Sequence, residues 1–110
     1  MTTDQARRVL GLVGLGIRAR TGTVGAEQVR AAAQKGTLVL ALVASDASRN
    51  TLDKLVPLLR ARRVPIVEGL AAQALGAAAG RAPTAAIGIL DRSLARGILE
   101  VVDSGDSGPA

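Results

Sequence analysis

The 110-residue sequence predicts an α/β fold, a three-layer α/β/α sandwich built on one small four-stranded sheet. Three observations lead there. The run from Thr37 to Val43 is continuous and apolar, the pattern of a central strand covered on both faces. Helical periodicities alternate with shorter apolar runs along the whole chain, which places helices on both faces of a single sheet. The length fits one domain with a modest core, spanning residues 4–102.

The elements follow in order. A first helix starts at Asp4 as N-cap and runs to about Ala19, with Val9, Leu10, Leu12, Val13 and Ile17 on its apolar stripe. Thr21-Gly22-Thr23-Val24 reads as a turn and a short edge strand. Gly25 opens a second helix, Ala26 to Lys35, which Gly36 closes as its C′ residue. The central strand is followed by Ser45-Asp46-Ala47-Ser48, a loop of capping residues. A third helix runs from Arg49 to Arg63, and Pro57 inside it predicts a kink or a restart.

Val64 to Glu68 reads as a strand, and Leu70 to Ala79 as a fourth helix ended by Gly80. Arg81-Ala82-Pro83 is a loop, and Thr84 to Leu90 is a second buried strand. Ser93 to Val102 is the last helix, capped by Asp91 or Ser93. Residues 103–110 are rich in Ser, Gly and Asp and are expected to be disordered.

Composition removes whole classes of function. There is no cysteine, hence no disulfide or thiolate chemistry. There is no histidine, so the usual neutral-pH base, the commonest metal ligand and any Ser/His/Asp arrangement are missing. The nine acidic residues are scattered, and no cofactor or metal is expected. No Ser lies in a GxSxG elbow. The reading is therefore of a protein that is not an enzyme. Phe, Tyr and Trp are absent too, which excludes recognition of single-stranded nucleic acid by base stacking.

The formal net charge is +5, and twelve of the fourteen cations are arginine, the side chain suited to bidentate phosphate recognition. A polyanionic partner and a plain compositional bias toward Arg, Ala and Gly both account for this excess. Met1-Thr2-Thr3-Asp4 lacks a basic region followed by a long apolar run, so no targeting segment is expected, and Leu38 to Ala44, the longest apolar stretch, is too short to span a bilayer. A cytoplasmic monomer without membrane contact is expected.

Two features invite a functional reading. Gly11, Gly14 and Gly16 form GxxGxG rather than GxGxxG, with no strand before them, so they are read as packing glycines of a helix. Gly25 opens a helix whose free N–H groups and partial positive charge form a ready phosphate site, with Arg18 and Arg20 before it and Arg30 after it. The cluster Arg60, Arg62 and Arg63 is read as a solvated helix C-terminus, where the macrodipole favours cations.

Beyond single features, the order of motifs resembles a known family. The matching stretches are Leu10-Gly11-Leu12 with Arg18, Thr23-Val24-Gly25, and Leu38-Val39-Leu40-Ala41 through Asp46-Ala47-Ser48 with Asn50-Thr51. Val64-Pro65-Ile66, Leu75-Gly76 with Ala79-Gly80, and Ala82 with the strand to Ile89 continue the match. Leu55-Val56-Pro57-Leu58-Leu59 also fits, including its mid-helix proline. Over residues 6–102 the chain resembles the kink-turn RNA-binding superfamily of ribosomal protein L7Ae, most closely its small bacterial YlxQ-like branch.

The resemblance implies an α/β/α sandwich around a mixed sheet, and binding of structured RNA, kink-turn-like or ribosomal. Members bind through the start of the second helix, which carries Gly-Thr-Asn-Glu and a later Lys, and through the loop before the last strand. Here Gly25 matches, whereas Ala26, Glu27, Gln28 and Ala31 stand at the Thr, Asn, Glu and Lys positions, with Arg30 beside the last. The RNA-binding residues implied are Gly25, Gln28, Arg30, Arg81, Ala82 and Pro83. The departures at Ala26, Glu27 and Ala31 keep an alternative open, a protein-interaction module that has kept the fold and lost the RNA site.

Overall fold

The computed structural model describes residues 1–106, which form five helices and four strands in alternation. These are α1 (Thr3–Arg18), β1 (Gly22–Val24), α2 (Ala26–Lys35), β2 (Leu40–Val43), α3 (Arg49–Ala61), β3 (Ile66–Val67), α4 (Ala72–Ala78), β4 (Ala86–Ile89) and α5 (Arg92–Asp106). The strands form one mixed sheet in the order β1-β4-β2-β3. β4 is antiparallel to both β1 and β2, and β3 joins β2 in parallel.

The two central strands are buried throughout, and their side chains divide by parity between two cores. Leu40, Leu42, Ile87 and Ile89 pack with Val9 and Val13 of α1, Leu75 of α4 and Ile98 of α5. Ala41, Val43 and Ala86 pack on the opposite face with Val29 and Ala33 of α2 and Leu55 and Leu59 of α3. Large residues therefore face the three-helix layer, and small ones face α2 and α3. Gly88 extends this asymmetry: a side-chain carbon there would come within 2.6 Å of Leu38 Cδ1 and 3.4 Å of Val29 Cγ2. The sheet's small face lets α2 lie close to β4, which holds the start of α2 in a fixed place. This is the predicted sandwich, with the predicted element order.

Several boundaries differ from expectation for local reasons. α1 is capped by Thr2, not Asp4: Thr2 Oγ1 accepts from the Gln5 N–H at 3.1 Å, and Gln5 Oε1 accepts from the Thr2 N–H at 2.7 Å, a capping box. Gln5 is buried, and its amide donates to the Val101 carbonyl at 3.0 Å, tying α1 to α5. β2 starts at Leu40 because Thr37 is engaged elsewhere, its N–H donating to the Ala32 carbonyl to close α2. α3 runs through Pro57 as one helix with the ring on the exposed side, so it does not restart there.

α5 is capped by Asp91, whose Oδ2 accepts from the Leu94 N–H at 2.8 Å. It continues to Asp106, so residues 103–106, expected in a disordered tail, are helical instead. Ser104 extends the helix by donating to the Val101 carbonyl at 2.9 Å. The remaining residues of that expected tail, 107–110, lie outside the described residues.

The glycines of α1 act in packing, as expected for two of the three. A side-chain carbon at Gly14 would stand 3.3 Å from the Ala78 carbonyl of α4, and one at Gly16 would stand 2.5 Å from Leu94 Cδ2 of α5. Gly11 faces open space.

Candidate functional site

The site is built around the first turn of α2. Gly25 takes φ 106° and ψ 145°, a conformation essentially confined to glycine. Its N–H donates to the Ala86 carbonyl at 2.8 Å, fixing the helix start to β4, and its carbonyl accepts from Val29 at 3.0 Å. No side chain caps the helix. The N–H groups of Ala26, Glu27 and Gln28 are thus left open, as first-turn N–H groups are in an uncapped helix. Nothing lies within 4 Å of where a Gly25 side-chain carbon would be, so the backbone is open to a ligand.

Two grooves flank this helix start, the first of them predominantly polar. The first, of about 360 Å³, is lined by Ile17, Arg20, β1, Gln28 and Arg81. It brings together two residues predicted from sequence, Gln28 and Arg81, and adds Arg20 and Thr23. The second, of about 260 Å³, lies between the starts of α2 and α3 and is lined by Ala26, Glu27, Arg30, Asn50, Thr51 and Lys54. Arg30 therefore stands apart from Gln28. Residues two apart on a helix point to opposite sides, and α2 divides the set that the sequence grouped. Within the second groove, Arg30 Nε is buried with no hydrogen-bond partner in the structure.

Arg20, one of the arginines that the sequence places before the Gly25 helix start, is absent from the residues implied by the resemblance but lines the first groove. It follows the C-cap of α1 with φ 62°, a left-handed conformation. Its N–H donates to the Ile17 carbonyl and that of Thr21 to the Gly16 carbonyl, which ends α1 in a Schellman turn. The turn aims Arg20 into the first groove. The available signal was the helix end itself: the position just past a C-cap projects away from the helix surface, and here it carries a cation.

Arg81 is set by a second Schellman turn. Gly80, with φ 70°, donates to the Ala77 carbonyl, and Arg81 donates to the Gly76 carbonyl at 2.8 Å. The next two residues, Ala82 and Pro83, are exposed and lie outside the groove lining, but their backbone rests on Gly76. A side-chain carbon at Gly76 would overlap the Ala82 carbonyl and come within 2.9 Å of Pro83 Cα. The loop is closed by the Thr84 N–H, which donates to the Ala72 carbonyl at 3.1 Å.

Around the start of α2 the charge is mostly cationic, from Arg20, Arg81, Arg30 and Lys54, with Glu27 as the acidic member. No group of three or more His, Cys, Asp or Glu among the described residues is placed to hold a metal ion. No helix among them is long and apolar enough to cross a membrane.

Comparison with known proteins places these features in context. The model of the ribosomal protein L7Ae/L30e/S12e/Gadd45 family matches residues 9–99. No curated protein matches the chain. Among solved structures, a Bacillus halodurans protein of unknown function is 34% identical, with 86% of this chain and 96% of that one covered and a TM-score of 0.81. A Giardia lamblia 15.5kD RNA-binding protein is 23% identical, with 97% of this chain and 92% of that one covered and a TM-score of 0.80.

Proposed function

The chain belongs to the ribosomal protein L7Ae/L30e/S12e/Gadd45 family, and we propose that it is a non-catalytic, cytoplasmic, monomeric protein that binds structured RNA, kink-turn-like or ribosomal, through the start of α2 and the loop before β4. The observation that carries this reading is the first groove, in which Gln28 and Arg81 meet beside an uncapped helix start and an open Gly25 backbone. The family and the RNA-binding protein of the same fold support it.

The chemistry follows from the parts. A phosphate seats on the open N–H groups of α2, where the helix dipole adds partial positive charge. Arg81 and Arg20 reach the backbone as planar, charge-assisted donors. Gln28, a neutral donor and acceptor, contacts a base edge or a sugar. Ala82 and Pro83 offer a rigid apolar knob that meets a nucleotide by shape. Arg30, which lines the second groove, supplies a cation to the backbone on the far flank of α2. Glu27 opposes binding on that flank, because a carboxylate only accepts hydrogen bonds and repels phosphate.

A gel-shift titration at two salt concentrations tests the reading, using a kink-turn RNA, the same RNA with its sheared G·A pairs disrupted, and a plain duplex. Tight binding to the first alone is the expected result. Equal, salt-sensitive binding to all three would reduce the site to a generic basic surface. Binding to none would shift the assignment to a protein-interaction module.

A further inference from the structure

A separate groove of about 550 Å³ lies between the end of α3, the approaches to β2 and β3, and the outer side of α5. It adjoins the β3 side of the sheet, whereas the RNA site runs along β1 at the opposite edge. Its floor is apolar, formed by Val39, Pro65 and Leu99 over the buried Leu38 and Val64. Four exposed arginines line it: Arg62 and Arg63 just past the end of α3, and Arg92 and Arg96 from α5. Among the described residues none of them forms an ion pair.

The helix dipole accounts for Arg62, the C-cap of α3, but local structure does not account for Arg63 and Arg92. Arg92 is the first residue of α5, where the helix dipole disfavours a cation. Arg63 has φ 57°, a conformation that glycine adopts without strain and arginine does not. Two carboxylates, Glu100 and Asp103, stand further along α5 in the same groove. The groove is therefore polarised, with cations near the start of α5 and acids near its end.

We infer that this groove docks an acidic protein segment that carries an apolar anchor. The apolar floor takes the anchor, and the arginines pair with flanking carboxylates, the arrangement of a desolvated centre with a charged rim. RNA fits less well, because a uniformly anionic backbone laid along the groove would meet Glu100 and Asp103, and there is no aromatic ring on which a base could stack. A peptide with acids at one end avoids that repulsion.

The test uses the full chain and a fluorescein-labelled peptide, Asp-Glu-Asp-Leu-Leu-Gly-Ser-Lys, with an aspartate-only peptide of equal length as control. Fluorescence anisotropy should show saturable binding of the first, several-fold tighter than the control. The double variant Arg62→Glu/Arg96→Glu, checked for folding by circular dichroism, should weaken it by at least about tenfold. Arg81→Glu should leave it unchanged. Amide chemical-shift changes on peptide addition should centre on residues 62–65 and 92–99. No saturable binding, or equal binding of the control, would overturn the inference. So would a loss of RNA binding in the double variant as large as that in Arg81→Glu, since the groove would then belong to the RNA surface.

Discussion

Gly76 lies directly beneath the Ala82 carbonyl, close enough that any side-chain carbon at Gly76 would overlap it. The contact joins the buried face of α4 to the loop that presents Arg81, Ala82 and Pro83. Backbone meets backbone here, so the clash has no flexible side chain to absorb it. Gly76→Ala should therefore displace the loop and cost about 1–3 kcal/mol of stability, as overpacking does, despite alanine's better helix propensity. Urea unfolding should show a lower midpoint, and RNA affinity should fall with it. An unchanged midpoint would mean that the loop is not seated as described.

Arg20 separates stability from binding. Arg20 holds a left-handed conformation at the end of α1 while lining the groove shared by Gln28 and Arg81. Arg20→Gly relieves the strain but adds freedom to the unfolded chain, so the net gain should be about 0.5–1 kcal/mol. The same change removes a cation from the groove and should weaken RNA binding. Thermal unfolding and gel shifts on one variant should thus move in opposite directions, a pairing that general damage to the fold does not produce.

Gln28 and Arg81 share a groove but differ in charge, and salt should tell them apart. Arg81→Ala removes a phosphate contact and should lower the salt slope of log K by about one. Gln28→Ala should weaken binding at every salt concentration with the slope unchanged. Arg30→Ala, on the far flank of α2, should behave like Arg81→Ala. Equal slopes for all three variants would argue that none touches phosphate.

The sequence carried the fold far better than the site, for physical reasons. The apolar run ending at Val43 and the closing glycines Gly36 and Gly80 are local signals, and α2 begins and ends as predicted. The cap of α1 was misplaced because Thr2 and Asp4 both suit that role, and only the reciprocal bond from Gln5 decides between them. Gln5 itself is buried by α5, from the other end of the chain, which no local pattern reveals. The site residues that the resemblance implies rest on motif positions along the chain. The spacing of two on a predicted helix already sets Gln28 and Arg30 on opposite flanks, whereas nothing local shows that a helix end aims Arg20 into the groove of Gln28.

Glu27 gives the sharpest test of the RNA reading. It is exposed in the first turn of α2 and shares the second groove with Arg30. An acid in that turn stabilises the helix through its dipole, so Glu27→Gln should cost about 0.3–1 kcal/mol of stability. If phosphate approaches this helix start, removing the carboxylate removes a repulsion, and RNA should bind several-fold more tightly, most visibly at low salt, where screening is weak. A protein partner that pairs a cation with Glu27 gives the reverse sign. Affinity measured for Glu27→Gln at low and high salt therefore decides between the two readings by direction: tighter binding that fades with salt supports RNA, and looser binding refutes a phosphate contact on this flank.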